Sequence, residues 1–332
     1  MRTRASVKSM RAVIVPHFLN PRDLVVSTAP DPVLTDDKVL VAVRAAGCNF
    51  FDTLIVQGKY QVKPEFPFSP GGEIAGTVVE VGKRVTGVNV GDRVMAHVGH
   101  GGFAELALAS PEALHPIPDG MSFEQAAAFP IVYGTAYVSV VQRGALRPGE
   151  TALVTAAAGG VGLASVQIAS AVGARVIALA SGDKLDVARD AGAELAFDYR
   201  EPGWIERLRD ATAGRGVDVV IENVGGDVFD GCTRSIAWGG RLVVVGFASG
   251  RIADVATNRI LLKHISIIGV HFGPMYTEEL HSVRAAFRAL DALFRLGKVT
   301  PLVSVTLPLE RVAEALDALG SRKTVGKVVL TL

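Results

Sequence analysis

A chain of 332 residues, 49% hydrophobic and 20% charged, is long enough for two domains with sizeable cores. Its formal net charge of +1, with Lys and Arg scattered rather than clustered, argues against a nucleic-acid or membrane-surface partner. Cys48 and Cys232 are the only cysteines, which excludes a disulfide framework and a clustered structural zinc site and points to a reducing, cytoplasmic compartment.

The opening segment, 1–9, carries Arg2, Arg4 and Lys8 without the apolar core of a secretory signal. It reads as a disordered tail, or as sequence upstream of a start at Met10. From 10 to about 129, strand-like runs at 38–46, 74–81, 92–97 and 103–108 are separated by glycine and proline turns, the texture of a compact, partly closed β domain. After about 133 the rhythm becomes strand, helix, strand. Apolar runs at 152–155, 175–180, 194–197, 217–221, 242–245 and 265–269 supply six strands, the count of a complete doubly wound parallel sheet.

The helix beginning at Val161 is apolar on nearly every side, as expected for one pressed onto a sheet. The stretch 153–174 has no charged residue and resembles a membrane span by hydropathy alone. Its glycine turn, Gln167 and two serines fit a buried strand, turn and helix better. Beyond 273 come helices at 278–296 and 310–319 and a last strand at 326–332. These elements are expected to pack back on the first domain, giving an α/β chain with a discontinuous β-rich domain (10–132 and 274–332) around a Rossmann domain (133–273).

The run Thr155-Ala156-Ala157-Ala158-Gly159-Gly160-Val161-Gly162 links the first of the six strands to its helix. Against the pattern G-x-G-x-x-G it places Ala157, Gly159 and Gly162. Gly159 lets the backbone approach a pyrophosphate, Gly162 lets the helix lie close to the strand, and the helix N-terminus points N–H groups at the phosphates. Ala158, Gly160 and Val161 complete the cradle. With its first glycine missing, the motif alone also fits a tight turn in another α/β protein.

Five passages together resemble the zinc-independent quinone oxidoreductases of the medium-chain dehydrogenase/reductase superfamily. They are Ala45-Ala46-Gly47-Cys48-Asn49-Phe50-Phe51-Asp52, Pro70-Gly71-Gly72-Glu73-Ile74-Ala75-Gly76, Val90-Gly91-Asp92-Arg93-Val94, the 156–162 loop, and Gly239-Gly240-Arg241 leading into 242–246. The resemblance covers 10–332 and implies a GroES-like catalytic domain from both chain ends with a Rossmann domain between them. Zinc-dependent relatives place cysteine at Asn49, histidine at Gly72 and a second cysteine near Ala127, so no metal is expected. His97 and His100 lie among glycines that argue for a loop rather than a metal site. Without a Lewis acid, alcohol dehydrogenation is an unfavoured reaction.

An NAD-preferring Rossmann domain usually ends its second strand with an acid for the ribose 2′-hydroxyl. Here that strand is followed by Ser181-Gly182, which leaves room for a phosphate; Asp183 is the counter-indication, though its place before a helical run suits a helix start. The resemblance implies that Lys184, Tyr199 and Arg322 contact a 2′-phosphate, with Ser181 adding a hydroxyl, so the expected cofactor is NADPH. The nicotinamide is expected near Asn223, Gly246, Phe247 and Phe272, at the ends of strands four to six, with packing turns as the other reading of these loops; Thr135 matches a family residue on the cofactor's nicotinamide side.

For the reaction, the Asn49 amide is the candidate donor to an acceptor oxygen in place of the absent metal, with a strand-end turn as its other reading. Tyr60 falls at the position of the catalytic tyrosine of related enoyl thioester reductases, where a phenol donates a proton or orients a carbonyl. A cleft-lining role without acid-base work is the alternative. Some relatives carry a tyrosine where this chain has Leu54; Tyr133 and Phe272 are the candidate replacement walls. The expected function is NADPH-dependent hydride transfer to a quinone or other conjugated carbonyl such as an enone. Enoyl thioester reduction and a non-catalytic NADPH sensor are the competing readings. The family also implies a homodimer, through the region 265–270.

Overall fold

The computed structural model describes residues 8–332. Of the expected tail, 1–7 lie outside the described residues. Ser9 already belongs to a strand: Ser9–Val13 pairs antiparallel with Val26–Pro30, and the Lys8 carbonyl accepts from Asp31. The chain divides into two compact units, the first running to Ile131 and resuming at Pro301–Leu332, the second Val132–Thr300.

The first unit is built on a seven-stranded sheet, in the order Val303–Pro308, Lys327–Thr331, Val39–Cys48, Glu73–Val81, Arg93–His97 and Leu114–Pro116, with Leu106–Ala109 also paired to Val39–Cys48. Val39–Cys48 is buried at eight of ten positions, and its one charged residue, Arg44, is its one exposed position. The last strand runs antiparallel to it, with Val328 opposite Cys48 and Leu330 opposite Ala46. Helix Val312–Gly320 buries Val312, Ala315 and Leu316 in the same core, beside Ile74, Phe103 and Val328. The strand expected from 103 starts later, at Leu106, because the Phe103 backbone bonds to Pro70 and Val13 while its ring fills the core.

In the second unit six parallel strands form one sheet: β1 (Thr151–Thr155), β2 (Arg175–Ala180), β3 (Leu195–Asp198), β4 (Val217–Glu222), β5 (Ile236–Val244) and β6 (Ser266–Gly269). Their order is 3-2-1-4-5-6. The order reverses between β1 and β4, whose C-terminal ends mark the switch point where doubly wound sheets bind ligands. β5 begins at Ile236 rather than near 242, since Gly239, at φ +71°, lies within a register shift against β4 instead of in a loop. The uncharged stretch 153–174 is shared among β1, the glycine turn and helix α1 (Gly160–Val172). Among the described residues no helix is long and apolar enough to cross a membrane.

The second unit runs on to Thr300 instead of ending at 273. Helix Leu280–Arg295 buries Val283, Ala286, Phe287 and Leu290, a single helical face. Its Ser282 carbonyl accepts from Gln142, and the following Thr300 exchanges two hydrogen bonds with Gln167 of α1, each 3.0 Å. These bonds hold the segment to the Rossmann sheet.

Gly162 fixes how closely α1 approaches β1: a Cβ there would lie 2.1 Å from the Ala156 carbonyl oxygen and 2.9 Å from the Ala157 Cα. Gly162→Ala is therefore expected to destabilise the chain by about 1–3 kcal/mol through overpacking, measured as a lower denaturant midpoint with unchanged slope. An unaltered midpoint would contradict the close approach.

Candidate active site

The glycine turn presents a helix end. Ala156 turns the chain out of β1 at φ +49°, Ala157 donates to the Leu179 carbonyl on β2, and Gly159 caps α1 with extended backbone and no side-chain bond. The N–H groups of Gly160, Val161 and Gly162 therefore have no partner within the helix and point along its axis at the switch point. With Ala158 buried beneath and no side chain at 159, 160 or 162, the turn fits a phosphate group.

Beyond β2 and β3 the structure gathers Ser181, Lys184 and Tyr199, and adds Arg200. The buried Asp198 carboxylate organises them by accepting from the Gly182 N–H (2.8 Å), the Arg200 N–H (2.8 Å) and the Arg200 guanidinium (2.9 Å). Asp198 is thus consumed inside the loop, and β2 itself ends on Ala180, with no acid. Asp183 lies within the short helical turn Gly182–Lys184, its side chain exposed and 3.9 Å from Arg200. Partial burial, opposed by Asp183 and reinforced by Arg200, lowers the Lys184 pKa. Arg322 belongs to the first unit, at φ +56° just past helix Val312–Gly320.

At the end of β4 a buried carboxylate missed in the sequence, Glu222, accepts from the N–H groups of Val224 (2.8 Å) and Gly225 (2.9 Å) and from the Thr155 hydroxyl (3.2 Å). Burial raises its pKa against these donors. Asn223 is tied across to β1 by two 2.8 Å bonds to Thr155, one from its backbone and one from its amide. The Ala248 N–H donates to the Asn223 carbonyl, which zips the loop bearing Gly246 and Phe247 to that bearing Asn223. A Cβ on Gly134 would meet the Phe272 ring at 2.3 Å, so the ring rests on helix Pro130–Tyr137, which also carries buried Thr135. Tyr133 and Phe272 were expected as pocket walls. The structure buries both, with the Tyr133 hydroxyl donating to Gln167 at 2.8 Å.

In the first unit, Asn49 ends strand Val39–Cys48 and caps the short helix Phe50–Ile55. Its side chain belongs to a buried polar cluster. Lys327 Nζ donates to Cys48 O (2.7 Å), Asn49 Oδ1 (2.8 Å) and Glu73 Oε1 (2.7 Å). Asn49 Nδ2 donates to Glu73 Oε1 at 2.8 Å and to Gly47 O at 3.3 Å. Glu73 Oε2 accepts from the Ile131 N–H, and Asp52 accepts from the N–H groups of Asn49 and Gly71. Asn49 is therefore not a free donor, and meeting an acceptor oxygen requires exchange of one of its bonds. Tyr60 is half-buried, its ring 5.4 Å from Phe51; burial and the Asp52 charge raise its pKa, so it keeps its proton. Leu54, also half-buried, lies in the same short helix.

Gly72 and Ala127 stand where the resemblance places two metal ligands of zinc-dependent relatives, and neither offers a ligand atom. A Cβ on Gly72 would lie 2.2 Å from Phe51, whose ring occupies that space, and Ala127 is fully buried. His97 ends a strand and His100 sits in the following loop; burial pushes His97 down to about 4 despite Glu73. Among the described residues no three His, Cys, Asp or Glu side chains are grouped to hold a metal ion.

Burial pushes Asp52 up to about 7, against the pull of the Asn49 N–H, Lys327 and the Gly71 N–H. An unfolded aspartate ionises near pH ~4. The stabilisation is thus fully present below that pH and is lost as pH rises through about 7. Unfolding free energies of wild type should fall relative to Asp52→Asn between pH ~4 and ~7, by up to about 1.4 kcal/mol per pH unit, and level off above that window. Parallel pH curves would contradict this.

Residues 35–119 match the alcohol dehydrogenase GroES-like domain and 160–289 the zinc-binding dehydrogenase domain. A quinone oxidoreductase-like protein 2 homolog from Nematostella vectensis is 43% identical over 90% of this chain and 82% of its own length. Human quinone oxidoreductase is 35% identical over 98% of both chains. A mycobacterial protein solved in complex with NADPH superposes with a TM-score of 0.89 at 31% identity, covering 97% of this chain and 100% of that one. The chain belongs to the zinc-independent, quinone oxidoreductase-type medium-chain dehydrogenase/reductases and is an oxidoreductase with a GroES-like and a Rossmann domain.

Proposed function

We propose that the protein is an NADPH-dependent reductase that delivers hydride to quinones or other conjugated carbonyls without a metal. When bound, NADPH supplies two electrons as hydride and leaves as NADP+; the acceptor takes that hydride and one proton, so a quinone becomes a hydroquinone. The observation that carries the cofactor reading is the grouping of Ser181, Lys184, Tyr199 and Arg200 past a β2 that ends without an acid, with Asp198 already satisfied by Gly182 and Arg200. Lys184 and Arg200 favour a 2′-phosphate by charge, while Ser181 and Tyr199 supply hydroxyls. Arg322 is proposed to join them when the cofactor binds.

The α1 N-terminus, with Ala158, Gly159, Gly160, Val161 and Gly162, is assigned to the pyrophosphate. The zipped loops bearing Asn223, Gly246 and Phe247 are assigned to the nicotinamide end, with Thr135 and Phe272. Asn49 is assigned to the acceptor oxygen and Tyr60 to the proton or to carbonyl orientation, with Leu54 as an apolar wall. A homodimer is supported by β6, an edge strand flanked by exposed Leu261, Leu262 and Trp238. Sedimentation equilibrium tests it: a two-chain mass is expected, and a one-chain mass contradicts it.

Titration of both cofactors should show NADPH bound at least about a hundredfold more tightly than NADH, and Lys184→Ala should weaken NADPH alone by about ten- to hundredfold. Equal affinity for the two cofactors would overturn the assignment. With NADPH, 1,4-benzoquinone and a simple enone should turn over faster than crotonyl-CoA. The reverse ranking would favour enoyl thioester reduction, and tight binding without any turnover would favour the sensor.

A further inference from the structure

The buried cluster of Lys327, Glu73 and Asn49 joins three bonding groups of unlike kinds. An ammonium donates only and a carboxylate accepts only, whereas a carboxamide does both. With Lys327 Nζ 2.8 Å from Oδ1 and Glu73 Oε1 2.8 Å from Nδ2, one orientation of the Asn49 amide satisfies every bond. The flipped amide would set nitrogen against ammonium and oxygen against carboxylate. Lys327 spends all three of its donors here, on Cys48 O, Asn49 Oδ1 and Glu73 Oε1, and its side chain is only 5% exposed. Positive charge on the amide oxygen and negative charge on its N–H polarise the group in the same sense.

Of the two Nδ2 bonds, that to Gly47 O is the long one at 3.3 Å, near the limit of a useful hydrogen bond. It is the bond most easily exchanged for an incoming oxygen. We propose that Lys327 is a positioning residue acting through Asn49. With Glu73 it clamps and polarises the carboxamide, so that the N–H resting on Gly47 O is the one offered to the acceptor. This rests on the assignment of Asn49 to the acceptor oxygen. The buried ammonium thus supplies the fixed positive charge of the site, one amide removed from the substrate.

Lys327→Met alone leaves Glu73 buried and unpaired and risks misfolding, so the informative variant is Glu73→Gln/Lys327→Met, which removes both charges. It should fold with wild-type circular dichroism, bind NADPH within about twofold of wild type and lose about ten- to hundredfold in kcat. Adding Asn49→Ala should cost little more than Asn49→Ala alone, because the two act as one unit. A double variant with wild-type kcat, or losses that multiply with Asn49→Ala, would overturn the proposal. The Asn49 side-chain amide protons, identified in nitrogen-15 spectra by their loss in Asn49→Ala, give a readout without an acceptor. They should be shifted and slow to exchange in wild type and revert toward free-amide positions in the double variant; unchanged signals would refute the clamp. If wild type reduces no acceptor, the proposed function fails while these signals still decide the clamp.

Discussion

A buried charge must be answered by a partner, and in the first unit that demand ties together segments from both ends of the chain. The Lys327–Glu73 pair, 2.7 Å long with side chains 5% and 0% exposed, joins the C-terminal strand to strand Glu73–Val81. Through Cys48 O and Asn49 it also holds the end of Val39–Cys48, and through Glu73 Oε2 the Ile131 N–H. Removing one partner of such a pair costs about 3–5 kcal/mol, although the pair itself adds little net stability. Its geometry dictates neighbouring residues too. A Cβ on Gly47 would lie 2.6 Å from Glu73 Oε1 and 2.1 Å from the Ala127 carbonyl, so a side chain is excluded where the cluster is packed tightest.

The Rossmann unit uses the same device at its binding edge. Glu222 draws the Val224 and Gly225 N–H groups into a turn, and Asp198 draws in Gly182 and Arg200. Glu222 thereby fixes the turn after β4, and Asp198 fixes the loops after β2 and β3, where Lys184 and Arg200 lie. The loops are therefore shaped by internal acids before any ligand arrives, which lowers the ordering cost of binding.

Much of this was legible in the sequence where the signal is local. Gly159 and Gly162 mark the helix approach, and apolar runs mark all six strands of the parallel sheet, because periodicity and glycine steric freedom act within a few residues. The weaker boundaries were those set by distant partners: β5 began early because of its pairing with β4, and helix Leu280–Arg295 joined the second unit through Gln142 and Gln167. Lys327 was hidden in an ordinary strand start, since its partner is 254 residues away. Arg200 and Asp198 flank Tyr199, which the family resemblance highlighted, and draw notice only once Gly182 is seen bonded to Asp198. The bond from the Tyr133 hydroxyl to Gln167, 34 residues on, is likewise invisible in the sequence.

In the proposed reaction this chain moves a hydride from a nicotinamide to an acceptor with fixed hydrogen bonds and charges, not a metal. Its most direct test is single-turnover stopped flow on protein dialysed against a strong chelator, using NADPH carrying deuterium at C4 on one face or the other. Full-amplitude NADPH oxidation by a quinone is expected, unaffected by added zinc, with a primary isotope effect from one face only. Oxidation that appears only when zinc is restored, or an isotope effect absent from both faces, would contradict it.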